Sequence, residues 1–132
     1  MTSKSLVSSL AMLVAAAAVQ AADVDVSKLP PASSKTGLTY AKDIKPIFEK
    51  SCFKCHGAEK QKAKLRLDSL GAAIKGGEEG PDIVAGSSAK SKLVHSIARL
   101  NEDEAMPPAD KGKPLTKDEV GLVRAWIDQG AK

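Results

Sequence analysis

Large side chains are scarce in this sequence. Its 132 residues include one Trp, one Tyr and two Phe, at Trp126, Tyr40, Phe48 and Phe53. A domain of this size buries a smaller share of its surface than a large one, so something besides side chains is expected to fill the core. Cysteine does not supply the remedy. There are two, Cys52 and Cys55, and a bridge across so short a loop stabilises little. Charge is nearly balanced as well. The formal net charge is +4, with no Arg-rich or aromatic-basic stripe, which excludes an ordinary nucleic-acid binder. No alternating apolar pattern is long enough to make a strand, and no segment repeats. The composition asks for a cofactor.

The one long apolar run lies at the start. Met1 to Val19 carries a single charge, Lys4, then an apolar run from Leu6 to Val19, and ends in small residues at Ala21. This pattern reads as a secretory signal peptide over residues 1–21, cleaved after Ala21. A permanent membrane anchor needs roughly 20 apolar residues, and the run falls short. Neither cysteine lies in the leader, so a lipid-modified cysteine at the new terminus is excluded too. Residues 22–38 mix Pro, Ser and charge without periodicity and are expected to form a flexible or extended spacer. Residues 39–132 are then a single domain.

That domain reads as small and all-α, with about 3–5 helices. Asp43 is the expected cap of the first, with Pro46 in its first turn, where the missing N–H does no harm. Asp68 is expected to cap a short helix over Ser69–Ile74, ended by Gly76-Gly77. A third starts at Ser87 or Ser88 and runs to about Leu100. Asn101 to Lys113 is a polar, Pro-containing loop. The last helix has the clearest start: Thr116 and Glu119 form a capping box, Leu115 and Val120 occupy the staple positions, and Gly130 terminates it.

The informative run is Cys52-Phe53-Lys54-Cys55-His56-Gly57. Two thiols one helical turn apart can add to the two vinyl groups of a haem. The adjacent His56 is then carried under the iron as its proximal ligand. Haem c also brings the apolar mass that the side chains lack. Three plainer readings stay open. A Cys-x-x-Cys pair serves thiol redox chemistry, though usually within a βαβ pattern absent here. Zinc could take Cys52, Cys55, His56 and His95, although adjacent ligands such as Cys55 and His56 are uncommon. A structural disulfide would leave His56 without a role.

With the leader removed, Met106 is the only methionine. A lone Met is often core filler, but this one stands on a polar loop before Pro107-Pro108, which stiffens it. A thioether on a rigid loop suits a distal iron ligand. His95 is the rival; it shares a helix face with Ser91 and Arg99 and reads as solvated. An open sixth position, allowing ligand binding or peroxide chemistry, is the further alternative.

On these motifs the chain resembles a monohaem, class I-like cytochrome c, most of all the domain found in planctomycetes and their verrucomicrobial relatives. The matching stretches are Asp43–Ile47, Cys52–Gly57, Leu65–Asp68, Gly76-Gly77, Met106–Pro108 and Trp126–Ala131, which span about residues 39–132. The resemblance implies helices wrapped around one covalently attached haem, with the first and last helices crossing beside Phe48 and Trp126. Arg66 is a candidate contact for a haem propionate, since Arg–carboxylate pairs are favourable.

Charge is unevenly spread. Between Lys42 and Arg66 there are eight Lys and Arg against three Asp and Glu, whereas Glu102-Asp103-Glu104 stands just before Met106. A positive attachment side would steer the haem edge toward an acidic redox partner. The expected function is an exported, periplasmic electron carrier with a redox donor and acceptor, cycling between Fe(II) and Fe(III). No acid–base pair suggests catalysis of its own. A haem-based sensor or peroxidase-like protein is the alternative.

Overall fold

The computed structural model describes residues 23–132, so the expected leader lies outside the described residues. Among the described residues there are four α-helices and no strand: α1 Lys45–Ser51, α2 Leu70–Lys75, α3 Lys92–Ile97 and α4 Lys117–Asp128. Strand-like pairing is limited to isolated bridges at His56–Gln61 and Gly77–Gly80. The all-α expectation holds. No helix among them is long and apolar enough to cross a membrane.

The helices start where local chemistry lets them, with small departures from the expected caps. The chain enters α1 through a wide π-helical turn, Tyr40–Ile44, rather than at Asp43. Pro46 has no N–H to give the regular ladder, and in the turn before it Lys45 N–H bonds five residues back to the Tyr40 carbonyl. Asp43 sits inside this turn, and its carboxylate reaches back to the Thr39 N–H at 2.9 Å. For α2 the cap is Ser69, one residue later than expected, because Arg66 holds the Asp68 carboxylate. The third expected helix is broken into a 3-10 turn, Ser88–Lys90, and α3. Ser91 breaks it: its fully buried hydroxyl donates to the Ser87 carbonyl and accepts from the Val84 N–H, each at 2.9 Å. A serine that bonds the backbone around it competes with helix. Arg99, at φ 57°, then turns the chain out of the helical direction.

In α4 the capping box forms as expected, with both Thr116–Glu119 bonds made, and the staple residues Leu115 and Val120 are both buried. A cap of this kind contributes about 1 kcal/mol. The helix buries Val120, Gly121, Val123, Ala125, Trp126 and Ile127, most of its circumference. It packs against the π turn and against α3.

The aromatic residues are concentrated at this junction. Phe48 and Trp126, both fully buried, meet edge to face with centroids 6.4 Å apart, and Tyr40 lies within 6.4 Å of both. Such pairs are worth about 0.5–1.5 kcal/mol beyond the area they bury. Their polar ends are all satisfied. Tyr40 Oη donates to the Leu67 carbonyl at 2.6 Å, and Trp126 Nε1 donates to the Lys132 carbonyl at 2.8 Å. The same carbonyl accepts the Tyr40 N–H at 2.7 Å.

Residues 30–38 run extended along α4, fastened to it by hydrogen bonds. Ser33 N–H donates to the Gly121 carbonyl at 2.9 Å, Arg124 donates to the Pro30 carbonyl, and Gln129 bonds both Lys35 O and Leu38 N–H. Gly121 is what lets the strap lie so close, since a Cβ there would stand 2.7 Å from the Pro31 carbonyl oxygen.

Candidate functional site

The Cys52–His56 segment is one tight turn at the end of α1. The Cys52 carbonyl accepts both the Cys55 N–H at 3.1 Å and the His56 N–H at 2.9 Å, which gathers the two sulfurs and the imidazole. Gly57 allows the turn to close. A Cβ at that position would lie 2.3 Å from the Phe53 carbonyl oxygen, a backbone atom that cannot swing aside. Both cysteines are free thiols, Cys52 buried and Cys55 half-buried. Burial pushes the Cys52 thiol up to about 12, because a thiolate there would lose its water.

His56 is buried, with its ring fixed by the backbone. Its Nδ1 lies 3.2 Å from the Leu65 carbonyl, and since a carbonyl only accepts, Nδ1 carries the proton. In the neutral ring this leaves the Nε2 lone pair free, the tautomer a metal ligand needs. Leu65 is in turn held from both sides, its own N–H on Lys62 O and the Leu67 N–H on His56 O.

Opposite stands the Ala105-Met106-Pro107 loop. The Met106 N–H donates to the Ser96 carbonyl of α3 at 3.0 Å, while Ala105 and Pro107 on either side are buried. Met106 itself is 37% exposed. Between the two walls runs a cleft made of two adjoining cavities. The larger, about 290 Å³, is walled by His56, Ala63, Leu65, Leu93 and Met106. The smaller, about 70 Å³, is walled by Cys52, Cys55, His56, Met106 and the Pro107-Pro108 pair. His56 and Met106 line both. Two thiols, an imidazole and a thioether lining one cleft suit a flat, apolar, iron-bearing macrocycle attached through the cysteines. The donor set fits haem c.

The mouth of the larger cavity is acidic, carrying Glu78, Glu79, Asp82, Asp103 and Glu104 against the single cation Lys92. Glu79 is held below the usual carboxylate range by Lys92, 2.6 Å away. Burial pushes the Asp82 carboxyl up, with Lys92 acting against the shift. Only Asp103 and Glu104 belong to the acidic run visible in the sequence. Glu78, Glu79 and Asp82 were not anticipated, because the glycine-rich turn at Gly76–Gly80 brings them to the mouth from a distant part of the chain.

Two candidates stand elsewhere. Arg66 does not line the cleft; it grips Asp68 with a two-pronged contact, Nη2 to Oδ2 at 3.0 Å, which occupies the fork expected for a propionate. His95 is half-buried rather than solvated, with Nε2 2.7 Å from the Ala89 carbonyl, and it is absent from both cavities. The zinc arrangement of Cys52, Cys55, His56 and His95 is not assembled. No group of three or more His, Cys, Asp or Glu among the described residues is placed to hold a metal ion by itself.

The family described as Planctomycete cytochrome C matches residues 52–110. The matched stretch opens on Cys52 and contains every residue lining the cleft except Ser51 and Lys111. No curated protein and no solved structure matches the chain.

Proposed function

From a chain whose residues 52–110 carry a cytochrome c domain of the planctomycete type, we propose an exported, single-haem electron carrier with His56 and Met106 as the axial pair. The observation that carries the reading is the sharing of one cleft by Cys52, Cys55, His56 and Met106. Haem, when bound, supplies the one-electron Fe(II)/Fe(III) chemistry.

The chain's own residues hold, orient and shield. Cys52 and Cys55, brought together by the turn, are the two attachment points. His56 presents Nε2 because its Nδ1–H donates to the Leu65 carbonyl, and this bond also stops the ring from rotating. Met106 offers a neutral thioether from a loop tied to α3. Ligands held this way need little rearrangement when charge changes, the requirement for fast electron transfer. Leu65 and Leu93 exclude water along the larger cavity.

The exposure of Met106 supports a second reading, in which the thioether yields to an incoming ligand and the protein senses or reduces a small molecule. One experiment separates the two. The protein is matured with haem-attachment machinery, and its spectrum is recorded with and without cyanide or carbon monoxide, beside Met106→Ala. A low-spin spectrum indifferent to added ligand, which becomes ligand-sensitive in Met106→Ala, is the expected result. Ready ligand binding by the unaltered chain would favour the sensor. No covalent haem at all, beside a control cytochrome that matures, would end both.

Partner choice follows from charge. The lysines from Lys42 to Lys64 and Arg66 are all exposed, and Lys54 and Lys111 flank the cysteine end of the cleft. An acidic redox partner docking there is expected to react at least about tenfold more slowly at high salt than at low salt, because screening removes the steering. Stopped-flow rates against ionic strength measure this, and a flat profile would reject it.

A further inference from the structure

We propose that Arg99 is a positioning residue that latches the Met106 loop across the cleft. The inference rests on the reading of Met106 as an iron ligand, and goes beyond it to what keeps that ligand in place.

Met106 lies on a loop with few holds of its own. It is preceded by a polar 3-10 turn, Glu102–Glu104, whose residues are all exposed. Two contacts join the Met106 region to the end of α3 and the turn that follows it. One is the Met106 N–H on Ser96 O at 3.0 Å. The other comes from Arg99, whose Nη1 donates to the Pro107 carbonyl at 2.9 Å while Nη2 donates to Glu102 Oε2 at 2.9 Å. One guanidinium thus bonds the chain on both sides of Met106. The side chain is mostly buried, 19% exposed, against 74% for Glu102, so the bond to Pro107 O is shielded from competing water.

The backbone is arranged for this reach. Arg99 adopts φ 57°, a left-handed conformation that non-glycine residues take at a cost. Its N–H bonds Ser96 O, the carbonyl that also receives the Met106 N–H. One acceptor at the end of α3 therefore anchors both the latch residue and the ligand residue. A planar fork with separate donors can span two acceptors in this way; a lysine ammonium is a point charge on a flexible stem.

The prediction concerns how often the loop opens. A hydrogen bond from a charged group is among the stronger single contacts in a protein. Losing it raises the population of the open loop, through which an external ligand must pass. In haem-loaded protein, Arg99→Gln is expected to bind imidazole to the ferric form about tenfold faster or more. The red absorption band of sulfur-ligated ferric haem is expected to weaken, and the Met106 amide to exchange its hydrogen faster. Arg99→Lys should fall between, closer to Gln than to Arg. Thermal denaturation of each variant shows whether a loss of overall stability is responsible. An Arg99 with only a general structural role would lower the midpoint and leave imidazole binding unchanged at temperatures well below it.

The outcomes separate the two layers of the argument. If the unaltered protein shows no sulfur band and takes imidazole freely, the Met106 reading fails and the latch with it. If the unaltered protein is protected and Arg99→Gln is equally protected, the Met106 reading stands and the latch is overturned.

Discussion

Haem-loaded protein carrying Cys52→Ala and Cys55→Ala together is expected to keep no haem once denatured in alkaline pyridine, whereas the unaltered chain keeps its full complement. Each single variant retains one attachment point and should hold haem covalently at lower yield. The reasoning is local. One carbonyl, that of Cys52, accepts both the Cys55 and His56 N–H groups, so the two sulfurs and the imidazole are fixed relative to one another before any cofactor arrives. Removing the sulfurs leaves this turn intact, because its bonds are all backbone bonds and Gly57 still closes it. The double variant therefore isolates the covalent link from the fold of the loop. Haem that resists denaturation in the double variant would disprove the assignment of these thiols.

Trp126→Ala should cost about 3–5 kcal/mol, the usual range for emptying a buried aromatic site. Set against a total stability of about 5–15 kcal/mol for a domain, such a loss removes much of the folded population. The indole is fully buried between Tyr40 and Phe48, with few other large side chains available to collapse into the space. Trp126→Phe should cost much less, because the ring contact survives and the Lys132 carbonyl keeps its bond from the Tyr40 N–H. Urea denaturation of the haem-loaded forms measures both. A loss below about 1 kcal/mol in Trp126→Ala would show that the cluster is not the keystone it resembles.

What could be read from sequence, and what could not, divides along the range of the interactions. The capping box at Thr116 and Glu119 and the run from Cys52 to His56 are contiguous signals, carried by neighbours within one turn. Met106 stands out as the only methionine after Met12, and the structure brings it to the same cleft as His56. The missed features depend on backbone groups meeting from far apart. Nothing near Leu65 announces that its carbonyl will orient the His56 ring. Ser91 breaks a helix through two bonds that its apolar spacing does not show. Residues 22–38 read as an extended or flexible spacer because they have no periodic apolar residues; the docking of 30–38 along α4 uses mostly carbonyls and N–H groups that every sequence possesses. Arg66 meets a carboxylate close in sequence, Asp68, two residues on.

The oxygen of Lys132 receives two hydrogen bonds, one from the Tyr40 N–H at the entrance to the first helix and one from the indole of Trp126. A single atom thus joins segments 92 residues apart along the chain. Loosening Lys132 frees the Tyr40 backbone and the tryptophan in the same movement, so local opening at Lys132 and opening of the aromatic core are one event. The contact forms only after a long loop has closed, which places it among the slow steps of assembly. A nascent chain cannot make it before Lys132 is available, and until then the tryptophan nitrogen lacks its partner.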